Sequence, residues 1–128
     1  MPATLDWIPP GATVRWTEVG AHGWHAVSLP FLLGAYVLTE LGTESGALIQ
    51  DEAAKRLSWF IPANAADGYE PPTDDVVVIT DGGRLYVPGL ARWDVVWWCL
   101  PPDGTRPVFT APEILFPAIA LATERWLA

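Results

Sequence analysis

The stretch Trp24-His25-Ala26-Val27-Ser28-Leu29-Pro30 decides the fold, because an extended segment ends there and a helix begins. Alternation along it puts Ala26 and Ser28 on one face of a predicted strand and His25, Val27 and Leu29 on the other. Pro30 suits the first turn of a helix, and Gly42 suits its C-terminal cap. Residues 31–41 between them are apolar nearly all round, which predicts a deeply packed helix.

Further strands are predicted on both sides of this pair. Residues 14–19 alternate between apolar and polar, which is typical of a half-buried strand. Residues 47–50 and 57–61 read as the two arms of a hairpin. Residues 76–79 are β-branched throughout, which predicts a central strand covered on both faces. The tight turn Asp81-Gly82-Gly83 leads into residues 84–87 and predicts a second hairpin.

The C-terminal part adds one strand, over residues 95–100, and one helix. Thr110-Ala111-Pro112-Glu113 has the pattern of a capping box before an apolar run to Leu127. Pro117 should kink that helix or delay its regular start. The predicted fold is a single α+β domain over residues 1–128, with an antiparallel or mixed sheet of five to seven strands and at least two packed helices.

Composition excludes several classes of protein. The chain has 128 residues, of which 51% are apolar, and its 15 acidic and 7 basic residues give a net charge of −8. That charge argues against a nucleic-acid binder, which needs basic residues to neutralise phosphates. The longest apolar run, residues 26–38, is too short to span a membrane. The single cysteine allows no intrachain disulfide, and a cytoplasmic location is expected.

The polar candidates for a site are few. His22 and His25 could bind zinc only on a helix, and the glycines around them speak against one, so we predict no metal site and no cofactor. His25 is the best candidate for a general acid or base. Arg84 is the candidate anchor for a ligand carboxylate or phosphate. Cys99, inside a bulky apolar strand, is interpreted as structural, and Asp94 beside Arg92 and Trp93 is ambiguous.

Eight tryptophans are the most informative group. On the strand after Trp93, alternation places Trp97 and Trp98 on opposite faces, so one should fill the core while the other lines a groove or a partner surface. Indole rings offer flat surfaces for stacking. We therefore take Trp24, Trp97 and Trp98, with His25 and Arg84, as candidate ligand-binding residues, the alternative for the tryptophans being core filling and edge cover.

Three stretches, in this order, resemble segments of one known family of domains. Trp24-His25-Ala26-Val27-Ser28-Leu29-Pro30 is similar to the segment that opens these domains. Ser45-Gly46-Ala47-Leu48-Ile49-Gln50-Asp51, with Leu57-Ser58-Trp59-Phe60-Ile61-Pro62, resembles their first hairpin. Gly82-Gly83-Arg84-Leu85-Tyr86-Val87-Pro88 and Trp98-Cys99-Leu100-Pro101-Pro102-Asp103-Gly104 resemble two later strands. The chain thus resembles bifunctional DNA primase/polymerase-like domains of the archaeo-eukaryotic primase type, above all the short stand-alone versions from high-GC bacterial genomes.

The chain departs from this family at the catalytic acids. Family polymerases hold two metal ions with a pair of acids, one residue apart, on the strand that matches residues 24–29. Here those positions fall on His25 and Val27, or on Ala26 and Ser28, and none of these is a carboxylate. Two-metal nucleotidyl transfer needs oxygen ligands, so we expect neither polymerase nor primase activity and no binding of nucleic acid.

Two functions are predicted from these observations. The first is a catalytically inactive primase/polymerase-like accessory domain that acts by binding a protein partner or its own copy, since interfaces favour tryptophan and disfavour lysine and glutamate. The alternative is a small-molecule enzyme or binding protein of specialised metabolism, with a Trp-lined pocket for an aromatic or apolar ligand. Neither expectation involves a membrane.

Overall fold

The computed structural model describes residues 5–91, 95–103 and 106–127. In chain order its elements are β1 (Val14–Glu18), β2 (Trp24–Pro30), α1 (Phe31–Leu41), a 3-10 turn (Gly42–Glu44), β3 (Leu48–Asp51), β4 (Arg56–Pro62), β5 (Val77–Ile79), β6 (Arg84–Pro88), β7 (Val96–Leu100) and α2 (Pro112–Leu127).

The strands form two antiparallel sheets. Five of them make the main sheet in the order β5-β2-β4-β3-β7, while β1 and β6 pair as a separate ribbon. Strands β2 and β4 are paired along their whole length, from Trp24 opposite Pro62 to Pro30 opposite Arg56. The predicted hairpin of β3 and β4 is present. The described residues form seven strands and two helices, which confirms the predicted α+β class.

One face of the main sheet carries both helices. Gly34 lets α1 approach β4 closely, because a Cβ atom there would lie 2.6 Å from Leu57 Cδ1. The backbone N–H of Gly42 bonds to the carbonyl of Leu38 and closes α1 where the sequence predicts its end. The core on this face joins side chains of β2, β3 and β4 to both helices: Val27, Leu29, Leu48, Trp59, Ile61, Leu33, Val37, Leu115 and Ile119.

The ribbon and the N-terminal segment cover the other face. Trp7 packs against Trp24, with ring centroids 5.2 Å apart, and against Phe60, at 5.5 Å. The indole N–H of Trp98 donates to the carbonyl of Pro88 at 2.7 Å, which ties β7 to the end of β6. The second core is completed from the ribbon by Val87, which is fully buried. The main sheet is therefore packed on both sides.

The predictions for β5 and β6 are wrong in two respects. Strand β5 lies at an edge of the main sheet, and Val77 is 45% exposed, so it is not a central strand covered on both faces. The turn at residues 80–83 forms, with the N–H of Gly83 bonded to the carbonyl of Thr80, yet β5 pairs with β2 and β6 pairs with β1. A β-branched sequence reports a preference for extended backbone and cannot specify how many strands flank it.

The N-terminus of α2 also differs from the prediction. The hydroxyl of Thr110 accepts a hydrogen bond from the N–H of Gly46 at 2.9 Å. It therefore binds the segment that precedes β3 and does not cap the helix. The helix begins at Pro112 and runs through Pro117 to Leu127. Among the described residues, no helix has the length and apolar character needed to cross a membrane.

Candidate functional site

A cleft of 220 Å³ opens between the ribbon and the main sheet. The ribbon contributes two aromatic rings and a cation to it, while the sheet contributes hydroxyls, a second cation and a carboxylate. We call it the ribbon cleft, and its lining residues are Trp16, Ser28, Ile49, Asp51, Ala54, Arg56, Ser58, Arg84, Leu85 and Tyr86.

A second space of 580 Å³ adjoins the ribbon cleft and shares three of its walls, Asp51, Ala54 and Tyr86. Its remaining walls are small or aliphatic, namely Val14, Ala53, Val95 and Val96. We call it the apolar chamber. Because three residues line both spaces, the ribbon cleft and the apolar chamber lie side by side.

Arg56 is the most constrained polar residue of the ribbon cleft. Its Nε donates to Ser28 Oγ at 2.7 Å, and its Nη2 donates to the carbonyls of Ser28 at 2.8 Å and Asp75 at 2.5 Å. All three acceptors are neutral oxygens, which leaves the two N–H groups of Nη1 without an acceptor among the described residues. Burial lowers the pKa of Arg56, and the nearby charge of Asp75 opposes that shift only in part.

Arg84 supplies the second cation, from the exposed side of β6. Its cross-strand neighbour is Glu18, but the two side chains form no ion pair. The ring of Trp16 lies against that of Tyr86 with centroids 4.3 Å apart, and these rings are 51% and 45% exposed. Both rings line the cleft beside Arg84.

Asp51 is the one carboxylate among the described residues that line the ribbon cleft. It lies directly opposite Arg56 in the β3–β4 register. Its Oδ1 accepts the N–H of Ala54 at 2.9 Å and so fixes the β3–β4 turn. Among the described residues, Asp51 and Arg56 form no ion pair with each other.

His25 lies apart from this cleft, on the helix side of β2, and is 2% exposed. Its Nε2 is 2.7 Å from Asp81 Oδ1, and its Nδ1 accepts the backbone N–H of Asn64 at 3.2 Å. Since Nδ1 accepts, the ring proton is on Nε2 and points at the Asp81 carboxylate. Both nitrogens are therefore engaged in joining β2 to two loops, and neither is available to a substrate in this arrangement.

The three candidate tryptophans are separated by the fold. Trp24 and Trp98 lie in the second core, 1% and 6% exposed, while Trp97 lies on the opposite face of β7 and is half-buried. Trp24 touches a third cavity, of 260 Å³, together with Trp7 and His22. Thus the five candidate residues are not brought together, and only Arg84 lines the ribbon cleft.

The remaining candidates from the sequence are Cys99, the segment from Arg92 to Asp94 and a metal site. Cys99 is half-buried and packs against the helix-side core. Arg92, Trp93 and Asp94 lie outside the described residues. No group of three or more side chains suited to a metal ion occurs within the described ranges.

Sequence reasoning missed Ser28, Arg56, Trp16 and Tyr86 as site residues. The signal for Arg56 was present: in a β3–β4 hairpin, Asp51 and Arg56 flank the turn and must oppose each other. The ribbon residues carried no such signal, because their place depends on β6 leaving the predicted hairpin for a pairing with β1.

No family model, curated protein or solved structure matches the chain.

Proposed function

We propose that this domain binds a small molecule that carries an anionic group and an apolar or aromatic portion, with the anion in the ribbon cleft. The observation that carries the proposal is that Arg56 and Arg84 line one cleft without an ion pair to any described carboxylate. Only seven basic residues occur in this acidic chain. A pair of them facing a shared space is unlike the scattered charges that keep a protein soluble.

The chemistry of the cleft fits a carboxylate or a phosphate. A guanidinium recognises either group through paired N–H donors, and Nη1 of Arg56 retains two. An anion would also compensate the partly buried charge of Arg56, whose present hydrogen bonds go to neutral oxygens. Trp16 and Tyr86 provide rings on which the rest of the ligand can pack.

The test is an NMR titration of the ¹⁵N-labelled protein with phenyl phosphate and with benzoate. We expect saturable shifts at residues of the ribbon cleft and a loss of affinity of about tenfold in Arg84→Gln, since a charged hydrogen bond contributes about 1.5–3 kcal/mol. Arg15→Gln is the matched control, because Arg15 is an exposed arginine of the same ribbon that does not line the cleft. Equal losses in both variants would show a nonspecific charge effect and refute the proposal.

A second candidate is association with a protein partner or with a second copy, as an inactive primase/polymerase-like accessory domain. The exposed pair Trp16 and Tyr86 favours it, because aromatic rings are enriched at interfaces. Sedimentation velocity over a concentration series tests self-association, and Trp16→Ser should then lower the association constant. If the protein is monomeric throughout and anions bind in the cleft, the small-molecule function stands alone. Neither candidate includes templated synthesis, since β2 carries no carboxylate.

A further inference from the structure

Asp51 and Arg56 present opposite charges to one cleft without neutralising each other. They are cross-strand neighbours on the same face, a position in which opposite charges normally pair. Instead, Asp51 accepts the N–H of Ala54, and Arg56 turns to Ser28 and to the carbonyl of Asp75. The separated charges leave a cleft that has a negative wall and a positive wall.

We propose that the ligand is a free α-amino acid with an apolar side chain. Its carboxylate binds Arg56 and Arg84, its ammonium group binds Asp51, and its side chain enters the apolar chamber. This inference rests on the proposed function, since it places the ligand anion in the same cleft.

The charges that line the ribbon cleft favour a zwitterion over a simple anion. An anion alone would gain from the two arginines but would be repelled by Asp51, which lines both spaces. A ligand ammonium turns that repulsion into attraction. The α-ammonium and carboxylate are joined through one carbon, which suits charges presented by two directly opposed residues.

The apolar chamber specifies the side chain. Valine and alanine side chains and the ring of Tyr86 make up most of its walls, and Asp51 lies at the junction with the cleft. Its volume of 580 Å³ lies within the range of about 300–1,000 Å³ that is usual for small-molecule sites. Asp51 is the one charged group among the described walls of the chamber, and the ligand ammonium binds it. A charged side chain would therefore lose hydration without a further partner there, so leucine-like or phenylalanine-like side chains are expected.

The experiment compares three probes that share one ring: L-phenylalanine, 3-phenylpropanoate, which lacks the ammonium, and 2-phenylethylamine, which lacks the carboxylate. We expect L-phenylalanine to bind the wild-type protein at least about tenfold more tightly than either analogue. In Asp51→Asn the affinity for L-phenylalanine should fall to about that of 3-phenylpropanoate, whose own affinity should stay constant or rise. Asparagine retains the oxygen that accepts the Ala54 N–H, so the turn is preserved. Asp74→Asn, an exposed acid outside the cleft, is the control.

The outcomes separate this inference from the proposed function. If 3-phenylpropanoate binds as tightly as L-phenylalanine, or if Asp51→Asn leaves the preference intact, the amino-acid assignment is wrong while anion binding stands. If 2-phenylethylamine binds as tightly as L-phenylalanine, the carboxylate contact is wrong. If phenyl phosphate, benzoate and all three ring probes fail to bind, the proposed function itself falls.

Discussion

Trp98→Phe tests whether the ribbon is held over the sheet by a single buried hydrogen bond. The indole N–H of Trp98 donates to the carbonyl of Pro88 at 2.7 Å, and both residues are buried. Phenylalanine leaves that carbonyl unpaired, which costs about 1–3 kcal/mol. It also removes about 35 Å³ of side chain, which costs about 1 kcal/mol more. We expect the free energy of unfolding to fall by about 2–4 kcal/mol.

Urea unfolding followed by far-ultraviolet circular dichroism measures that loss, which corresponds to about 1–2 M in the midpoint at a slope of about 2 kcal/mol/M. The matched control is Trp59→Phe, because Trp59 is equally buried and donates to Ser45 Oγ at 3.0 Å on the helix side of the sheet. Both variants should lose stability, but only Trp98→Phe should weaken phenyl phosphate binding, since only Trp98 contacts the ribbon. Equal changes in affinity, or a stability loss below about 0.5 kcal/mol in Trp98→Phe, would refute this reasoning.

Two further predictions concern the loops. Gly20 has φ +100°, and a Cβ there would lie 2.1 Å from Asp81 Oδ1, the atom that contacts His25, whereas Gly23 has φ +84° and open space. Gly20→Ala should therefore lose about 2–4 kcal/mol in thermal unfolding and Gly23→Ala, which meets only the backbone strain, about 1–2 kcal/mol. If both variants lose the same stability, the contact between His25 and Asp81 contributes nothing to it. Burial raises the pKa of Tyr69 above its ordinary 10.0, so ionisation of this group costs the folded state nothing below pH 10, and stability is lost as the pH rises through the folded-state pKa. Because that hydroxyl is buried without a partner in the described part of the chain, Tyr69→Phe should be up to about 1 kcal/mol more stable at pH 7 and should lose less stability between pH 9 and 11; a less stable variant at pH 7 contradicts this.

Local signals predicted the elements well, because each depends on neighbouring residues. The cap of α1 at Gly42 follows from backbone chemistry at a single position. Pro30, which the sequence predicts in the first turn of the helix, is instead the last residue of β2, and α1 begins one residue later at Phe31. The alternation from Trp24 to Leu29 correctly assigned the two faces of β2, and opposite faces for Trp97 and Trp98 followed in the same way. These properties depend on residues that are close in sequence, so they are the same whichever strands pair with each other.

Strand partners could not be predicted, and the site depends on them. The turn Asp81-Gly82-Gly83 specifies a reversal of the chain but not whether the two arms pair. Strand β6 pairs with β1 and not with β5, and in that position Val87 packs in the second core with Trp24, Phe60 and Trp98. Arg84 lies in the cleft because β6 pairs with β1, which is a long-range contact. The sequence could therefore predict Arg84 as an anion anchor but not which residues surround it.

The resemblance to primase/polymerase-like domains and the proposed anion site meet at Ser28. If the resemblance holds in the register that puts the lost acids at Ala26 and Ser28, the second metal-binding position is the residue that accepts a hydrogen bond from Arg56. A guanidinium at 2.7 Å from that position excludes a magnesium ion from it by charge repulsion. In the other register the two positions, His25 and Val27, face the helix side and are closed to ligands. In the first register, a serine at position 28 and the guanidinium of Arg56 bonded to it would together turn a site for cations into the site for an anionic group that we propose.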